Sequence, residues 1–394
     1  MRESRHIVYV GHNGFPVGMA QVERQRLIAK GLIAAGCDVV VISRYGVHDV
    51  ETAAGFAGKT EFEGVPFLYA SGSAIRESSF LRRTLFKIRG LISEMRIIFR
   101  KRRNSELGAI LVTTNSFHNL VIYKFISIFS GTPMIIDNVE HWTSIPSRKG
   151  GISGVEDWLY DHFGYKICDR VICISDFLAD IVKKGSPGKP VIKIPTIVDF
   201  SKFEGEANSD RTPYFLFCGS AVYFEVIDFV VNSFEKLDNE EFSLYLVCSG
   251  PVTDMVKLQN RLEASPKNST IKLFSRLEFS VLVQLYRNSR ALMIPLRNTA
   301  QDLARFPHKI GEYCAAGRVI LSTNLGEVKN YFTDGENALL APHYYEDEFS
   351  AKMQEVIDNP MLAEQLGNRS YQTGKENFDH IVLGKKLSNF IFPN

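Results

Sequence analysis

The stretch Phe306-Pro307-His308-Lys309-Ile310-Gly311-Glu312-Tyr313-Cys314-Ala315-Ala316-Gly317-Arg318-Val319-Ile320 decides the fold of this chain. Pro307 suits the residue before a helix or its first turn, where its missing N–H leaves no hydrogen bond unmade. Gly317 is the residue favoured just past a helix C-terminus, and the apolar run that follows it reads as a strand. The stretch therefore predicts a short helix leading into a buried strand, as in an α/β fold.

The same helix carries candidate binding groups on one face, because Lys309 and Glu312 lie three residues apart. A helix N-terminus attracts anions, and Lys309, beside His308 in the first turn, makes the position more attractive to phosphate. The Glu312 carboxylate, one turn deeper, can accept hydrogen bonds from sugar or ribose hydroxyls. The pattern predicts a nucleotide-sugar site; the alternative is an ordinary strand–helix–strand unit of another doubly wound domain.

This stretch resembles the donor-site signature of the retaining glycosyltransferases of family four, in the glycogen-synthase-like clan. The resemblance continues through residues 322–327 and 334–340, which in the family form a turn beside the donor and a loop before the closing helices. It implies an α/β protein of the GT-B fold, with two Rossmann-like domains facing a cleft and a C-terminal helix crossing back to the first domain. It implies a catalytic role for Glu312 and donor binding by His308, Lys309, Asn324, Gly326 and Glu327.

Two positions depart from the family pattern. Family members usually carry an arginine and a lysine just after the strand equivalent to residues 214–218, but this chain has Gly219 and Ser220 there, with no basic residue up to position 225. The first signature glutamate is replaced by Ala304. We keep Gly219 and Ser220 as donor-site candidates and expect the missing positive charge to come from basic residues elsewhere, which are Arg276, Arg297, Arg305 and Lys309.

Length and composition fit two ordinary globular domains. The chain has 394 residues, of which 45% are hydrophobic and 23% charged. A net charge of +2 gives no overall attraction to nucleic acid. The six cysteines lack metal-ligand spacing and lie mostly in apolar runs, which favours reduced thiols in a cytoplasmic protein. No Asp-x-Asp motif, signal peptide or membrane-span-length apolar run is evident, so we expect a metal-independent enzyme without cofactor, in the cytoplasm or on the cytosolic membrane face.

The first domain is expected to open with a strand, a glycine loop, a helix and a second strand over residues 6–43. The loop glycines fall at 11, 14 and 18, a wider spacing than the dinucleotide fingerprint. Such a loop lets a ligand approach the backbone closely, and the resemblance places Gly14 and Gly18 in the cleft, against donor phosphate or acceptor. The alternative is a tight turn that binds no ligand.

His141 follows the strand predicted at residues 133–137. Ligands of open α/β sheets bind at the carboxyl ends of strands, so His141 is expected to meet the sugar or the acceptor. It also aligns with a cleft histidine of many family members, and we assign it as catalytic beside Glu312. The alternative is a structural histidine that only satisfies its own hydrogen bonds.

The alternation of predicted strands and helices along the chain indicates the domain boundaries. Residues 1–200 form the expected acceptor domain and 201–370 the donor domain, with a polar linker over 202–212. Apolar residues at helical spacing over 371–394 predict the returning helix.

Residues 80–103 differ from the rest of the first domain. One apolar stripe recurs at steps of four and three, through Leu81, Leu85, Ile88, Ile92, Met95 and Phe99. Nine basic residues flank it against one acid, Glu94, which leaves a local charge of +8. This pattern favours a helix on an anionic membrane surface, with Arg82, Arg83, Lys87, Arg100 and Arg103 facing the lipid. The alternative is a domain helix that packs its stripe on the sheet.

These features predict a glycosyltransferase that moves a sugar, with retention, from a nucleotide-sugar donor to a glycan or lipid-linked acceptor in cell-surface polysaccharide biosynthesis. Two other functions remain open. A GT-B nucleotide-sugar epimerase is one, although no cluster of cleft carboxylates and histidines is evident. A non-catalytic GT-B partner protein is the other, which the departures at 219–225 and at Ala304 permit.

Overall fold

The computed structural model describes residues 5–148, 150–205 and 213–393. The chain divides into two compact units, which we call the first unit (Met1–Ile197 with His380–Asn394) and the second unit (Val198–Asp379). Of the predicted linker, residues 202–205 are described, and residues 206–212 lie outside the described part of the chain.

The first unit is built on an eight-stranded sheet. Its strands are β1 (His6–Val10), β2 (Asp38–Ser43), β3 (Glu61–Phe62), β4 (Val65–Tyr69), β5 (Ala109–Val112), β6 (Met134–Asn138), β7 (Arg170–Cys173) and β8 (Val191–Lys193). The helices that precede β8 in the chain are α1 (Ala20–Ala34), α2 (Val50–Ala54), α3 (Phe80–Arg103), α4 (Phe117–Ser130), α5 (Gly151–Leu159), α6 (Tyr165–Ile167) and α7 (Asp176–Gly185). The strand order is β3-β4-β2-β1-β5-β6-β7-β8, and only the β3–β4 pair among these is antiparallel.

The second unit repeats the alternation on a six-stranded parallel sheet. Its strands are β9 (Tyr214–Ser220), β10 (Ser243–Ser249), β11 (Ile271–Phe274), β12 (Ala291–Ile294), β13 (Val319–Thr323) and β14 (Leu339–Ala341). Its helices are α8 (Phe224–Glu235), α9 (Val252–Glu263), α10 (Phe279–Asn288), α11 (Ala300–Ala304), α12 (His308–Ala316), α13 (Glu346–Asp358) and α14 (Pro360–Asn377). The order is β11-β10-β9-β12-β13-β14, with each described pair parallel.

Each sheet has its own apolar core. In the first unit the core includes Ile7, Tyr9 and Leu111 from adjacent strands. In the second unit Phe215, Leu246 and other apolar strand residues pack against the helices. Strands buried on both faces read as nearly continuous apolar runs, which is why the sequence predicted most of them well.

The predicted helical segment 371–394 is two helices rather than one. Helix α14 ends at Asn377 and packs against α12 and β13 in the second unit. The last helix, α15 (His380–Ile391), packs against α1 in the first unit. The expected return of the C-terminal helix to the first domain is therefore confirmed, although the helix starts at residue 380.

Candidate functional site

The predicted donor residues of the second unit follow the ends of neighbouring strands. Gly219 and Ser220 end β9, Arg276 lies two residues after β11, and Asn324 directly follows β13. Since all these strands are parallel, their carboxyl ends meet at one edge of the sheet. The structure thus brings four separately predicted residues to the edge where ligands of such sheets bind.

Helix α12 is bounded as the sequence predicts. Pro307 precedes it with extended backbone, and Gly317 ends it in the left-handed region at φ 68°. His308 and Lys309 therefore occupy the first turn, where the backbone N–H groups have no intrahelical partner and the helix dipole is positive. This turn is suited to bind an anion.

Lys309 and Glu312 contact each other directly. Lys309 Nζ lies 2.8 Å from Glu312 Oε2, and the Tyr286 hydroxyl donates to the same oxygen at 3.1 Å. The other carboxylate oxygen lies 3.5 Å from His308 Nε2. Glu312 is buried, with 7% of its surface exposed. Its carboxylate therefore binds neighbouring side chains of the chain itself and holds Lys309 in place.

These contacts fix the charge states of both groups. Burial alone raises the pKa of Glu312, but Lys309, then His308, outweigh it, and the pKa lies below the ordinary value. Burial alone lowers the pKa of Lys309, but Glu312 and the Cys218 thiol raise it above the ordinary lysine value. Lys309 is thus a permanent cation at neutral pH, and Glu312 a permanent anion.

The remaining predicted donor residues differ in exposure. Asn324 and Arg276 are exposed, whereas Glu327 is buried. Gly326 has φ 55°, a left-handed conformation, and its position packs near the backbone of Asp302 and Leu303. Because Glu327 is buried, its side chain contributes to the structure of the turn. Asn324 and Arg276 are accessible to a ligand.

Two of the arginines expected to supply charge are already engaged. Arg297 Nε donates to Asp302 Oδ2 at 2.9 Å, and its Nη1 lies 3.4 Å from Glu225. Arg305 Nη1 donates to the Tyr223 hydroxyl at 3.2 Å. Arg276 has no ion pair within the described ranges, and its φ of 53° is unusual for a residue with a side chain. Arg276 is therefore the least engaged of these cations, whereas Lys309, although paired with Glu312, is the one that lies in the first turn of α12.

The glycine loop of the first unit is packed closely. A Cβ on Gly18 would lie 2.5 Å from Val22 of α1, and one on Gly14 would lie 3.0 Å from the His12 ring. The Gly14 N–H donates to His12 Nδ1 at 3.2 Å. A side chain at either position would therefore have to displace Val22 or the His12 ring, whether or not a ligand approaches the loop.

His141 lies after the carboxyl end of β6, as predicted, and is partly exposed. Its Nε2 lies 3.8 Å from Asp161 Oδ2, and its Nδ1 lies 3.4 Å from the Thr143 hydroxyl. Asp161 also accepts from the backbone N–H groups of Trp142 and Thr143, at 3.1 and 2.8 Å. The loop geometry around His141 is therefore set by one buried carboxylate.

Sequence reasoning missed Asp161 and Tyr286. Asp161 lies in the π-helical turn Tyr160–Gly164, a rare feature that often marks functional sites, but nothing local in the sequence announces it. Tyr286 comes from α10, far along the chain from Glu312. Their contacts exist only in the folded chain.

Helix α3 presents its apolar stripe outward. Leu81 and Leu85 are 73% and 64% exposed, and Ile88 and Ile92 are also exposed. The buried face instead carries Gly90, Glu94 and Ile98. These four stripe residues therefore do not pack on the sheet, whereas the last two, Met95 and Phe99, are half-buried.

The buried face of α3 is held by a polar network. Arg44 Nε donates to Glu94 Oε2 at 2.7 Å, and the Tyr123 hydroxyl donates to Glu94 Oε1 at 2.8 Å. A Cβ on Gly90 would lie 2.1 Å from the Arg44 carbonyl oxygen, so the helix backbone lies directly against residue 44. Of the predicted lipid-facing residues, Arg82, Lys87, Arg100 and Arg103 are exposed, and Arg83 is partly buried near Phe80.

The described residues lack both a metal-binding cluster and a membrane-spanning helix. No three His, Cys, Asp or Glu side chains there are grouped so as to hold a metal ion. Within the same ranges, no helix has the length and apolar content needed to cross a bilayer.

Comparison with known proteins gives one family and several similar structures. The glycosyl transferases group 1 family matches residues 199–373. An uncharacterised glycosyltransferase of Methanocaldococcus jannaschii is 21% identical over 221 residues, which cover 55% of this chain and 58% of that protein. The chain thus spans little more than half the length of this relative.

Two solved structures match almost the whole chain. Sucrose-phosphate synthase from Thermosynechococcus elongatus aligns with a TM-score of 0.72 at 13% identity, over 97% of each chain. HepE of Anabaena, solved with UDP and glucose, aligns with a TM-score of 0.71 at 11% identity, over 98% of each chain. At this identity the likeness shows the fold. The chain therefore has the GT-B fold, and residues 199–373 of its second unit match the glycosyl transferases group 1 family.

Proposed function

We propose that this protein is a retaining glycosyltransferase that takes a sugar from a nucleotide-sugar donor, UDP-linked in the first instance, and passes it to a glycan or lipid-linked acceptor. The observation that carries the proposal is Lys309, a cation fixed by Glu312 in the first turn of α12, at the carboxyl edge of the second sheet. HepE was solved with UDP, which suggests that uracil is the base of the donor nucleotide.

The chemistry asked of the protein is mainly electrostatic. The bond between the anomeric carbon and the diphosphate oxygen breaks, and the acceptor hydroxyl oxygen bonds to the same face of that carbon. A diphosphate oxygen takes the hydroxyl proton. Lys309 and the α12 dipole stabilise the charge that develops on the diphosphate, without a metal ion. His141 is proposed to orient the sugar or the acceptor from the first unit.

We further propose that the enzyme works at the cytosolic face of a membrane, in cell-surface polysaccharide biosynthesis. The outward apolar stripe of α3 supports this location, since exposed apolar patches mark interaction surfaces. The exposed arginines beside it favour anionic headgroups. A lipid-linked acceptor would be found at that surface.

One observation favours a non-catalytic partner protein. Ala304, at the place of the first signature glutamate, is completely buried, so no carboxylate reaches the donor from that position. Sugar transfer by the purified protein separates the two functions, because a scaffold would bind nucleotide without turnover.

The experiment begins with a thermal-shift screen of the purified protein against UDP-, GDP-, ADP- and CMP-sugars, since a ligand that binds only the folded state raises its stability. The donor identified is then tested for transfer and for the anomeric configuration of the product. A stabilising donor with transfer supports the proposal. Binding without turnover would identify a scaffold, and an altered nucleotide sugar would identify an epimerase.

Substitution of Lys309 tests the site itself. We expect Lys309→Ala to weaken UDP binding by about 1.5–3 kcal/mol, the size of a hydrogen bond to a charged group. Lys272→Ala, at an exposed lysine on β11, serves as the matched control and should change little. Unchanged calorimetric affinity in Lys309→Ala would mean that another cation, such as Arg276, binds the diphosphate.

A further inference from the structure

A pocket of about 480 Å³ lies in the first unit, beside the turn that carries His141. Trp142 and Trp158 line it, together with Thr143, Arg148, Val155 and Asp157. These are the only two tryptophans of the chain. The volume falls in the range of about 300–1,000 Å³ that is typical of small-molecule sites. We call it the tryptophan pocket.

The charges that line the tryptophan pocket cancel. Arg148 Nε and Nη2 donate to the two oxygens of Asp157 at 2.8 and 2.7 Å. The Arg148 guanidinium also lies over the Trp142 ring, 5.0 Å from its centroid. The Arg148–Asp157 pair carries no net charge, so the pocket suits an uncharged, apolar group.

The apolar lining continues outside the pocket along α5. Ile152 is 86% exposed, and Val155 and Trp158 are also exposed. These residues recur at steps of three, so they share one face of the helix. A short helix that leaves its apolar face in water has an unfavourable surface, and covering it with hydrocarbon is favoured by about 25 cal/mol per Å².

Helix α4 connects this face with α3. Glu156 of α5 accepts from the Phe117 N–H at the start of α4, at 2.9 Å. At the other end of α4, the Ser130 carbonyl accepts from Arg102 of α3, at 2.9 Å. Between these anchors α4 exposes Phe125, Ile128 and Phe129. Exposed apolar side chains therefore occur on each of α5, α4 and α3, and α4 contacts both of the other helices.

We propose that the tryptophan pocket binds the single hydrocarbon chain of a lipid-linked acceptor, close to where His141 meets the acceptor head. The inference rests on the proposed function and narrows its acceptor from glycan or lipid-linked to lipid-linked. The neutral lining, the exposed apolar face of α5 and the exposed apolar side chains of the neighbouring helix α4 favour a chain over a free sugar. Van der Waals contact with the two indole rings and Val155 would hold the chain.

The two tryptophans provide the measurement. A detergent with a dibrominated decyl chain and a maltose head, used below its micellar concentration, should quench most of the intrinsic fluorescence, because bromine quenches indole only on contact and both tryptophans line the pocket. Maltose alone is the comparison. Saturable quenching by the brominated detergent, with no effect of maltose, supports the proposal. If maltose instead protects the fluorescence from quenching by the brominated detergent, the pocket is a sugar subsite and the proposal is overturned.

Substitutions at exposed positions should not unfold the protein, so they test binding of the chain separately from folding. Ile152→Gln with Val155→Gln should weaken quenching by about tenfold in apparent affinity, since Val155 lines the pocket and Ile152 continues its apolar face along α5. Val252→Gln with Val256→Gln, two exposed positions on α9 of the second unit, is the matched control and should leave it unchanged. Equal quenching of both variants would show that the chain binds elsewhere.

UDP binding and sugar transfer, measured on the same proteins, separate this inference from the proposed function. If the protein transfers sugar to a soluble glycan but the brominated detergent does not quench its fluorescence, the lipid-binding role of the tryptophan pocket is overturned. The glycosyltransferase proposal would then stand. Quenching without binding of a UDP-, GDP-, ADP- or CMP-sugar would overturn the glycosyltransferase and leave the pocket. The α5 variants should bind UDP like the wild type, which also reports that they are folded.

Discussion

At the scale of single residues, Glu312 has a different environment from the one its sequence position suggests. The spacing to Lys309 predicted two groups that both face the donor, but the structure bonds them to each other and adds the Tyr286 hydroxyl. A carboxylate that already accepts two hydrogen bonds on one oxygen acts mainly through the lysine that it positions. The spacing identified the pair correctly; only the fold, which brings in Tyr286, shows what the carboxylate binds.

The Lys309–Glu312 pair predicts how stability depends on pH. The pKa of Glu312 is lowered on folding, so its contribution is present above the unfolded value of about 4.3 and is lost as pH falls through the folded pKa. The pKa of Lys309 is raised, so its contribution is present below about 10.4 and is lost as pH rises through its folded pKa. Between those limits the contribution should be constant.

We therefore expect Glu312→Gln to lower the free energy of unfolding of the second unit by about 1.5–3 kcal/mol at neutral pH. Denaturant titrations at several pH values check this, and the difference from wild type should shrink below about pH 4. Glu364→Gln, at an exposed carboxylate on α14, is the control. A difference that persists unchanged into strong acid would show that the lost packing, and not the charge, matters.

At the scale of elements, α3 shows where a periodic pattern stops being decisive. An apolar stripe on a helix predicts that one face leaves water, but it does not say whether protein or lipid covers that face. Two residues carried the missing information: Gly90, which allows the backbone to approach Arg44, and Glu94, the lone acid that Arg44 pairs with. Both mark the buried face, on the other side from the stripe.

We expect α3 to draw the protein to anionic vesicles at low salt and to release it at high salt, because charges separated by more than about 8 Å are screened at physiological ionic strength. Replacing Arg82, Lys87, Arg100 and Arg103 by glutamine should weaken co-sedimentation at least about tenfold, since each basic residue contributes about 1 kcal/mol. Arg102 is kept because it bonds to α4.

Two further variants sharpen the vesicle experiment. Replacing four exposed lysines elsewhere, Lys183, Lys184, Lys272 and Lys329, removes the same charge and should matter less. Leu81→Ser with Leu85→Ser keeps every charge, and it should weaken binding if the stripe enters the lipid. Wild-type protein that stays in the supernatant at low salt would contradict a membrane role for α3.

At the scale of the whole molecule, the sequence predicted the long buried strands and the return of the last helix. It missed β3 and β4, and it interpreted β14 as part of a loop, because strands of two to five residues carry little periodicity. It also could not show that α15 completes the first unit, since that depends on contacts between the two ends of the chain.

Those contacts rest on a pair of glycines. A Cβ on Gly31 of α1 would lie 2.2 Å from the His380 carbonyl oxygen, and one on Gly384 of α15 would lie 2.1 Å from the backbone of Gly31. In an ordinary helix, Gly→Ala stabilises by about 1 kcal/mol. Here the added methyl meets backbone atoms that have no rotamer to change, so the two helices must separate.

We expect Gly384→Ala to destabilise the first unit by about 1–3 kcal/mol, the usual effect of overpacking. Tryptophan fluorescence during denaturant unfolding reports on this unit, because Trp142 and Trp158 both belong to it. The control is Gly55→Ala, where the nearest neighbour of the added Cβ is the Thr52 carbonyl oxygen at 3.4 Å. UDP binding should survive in both variants, because Lys309 lies in the second unit. An unfolding midpoint for Gly384→Ala equal to that of wild type would mean that α15 does not pack this closely on α1.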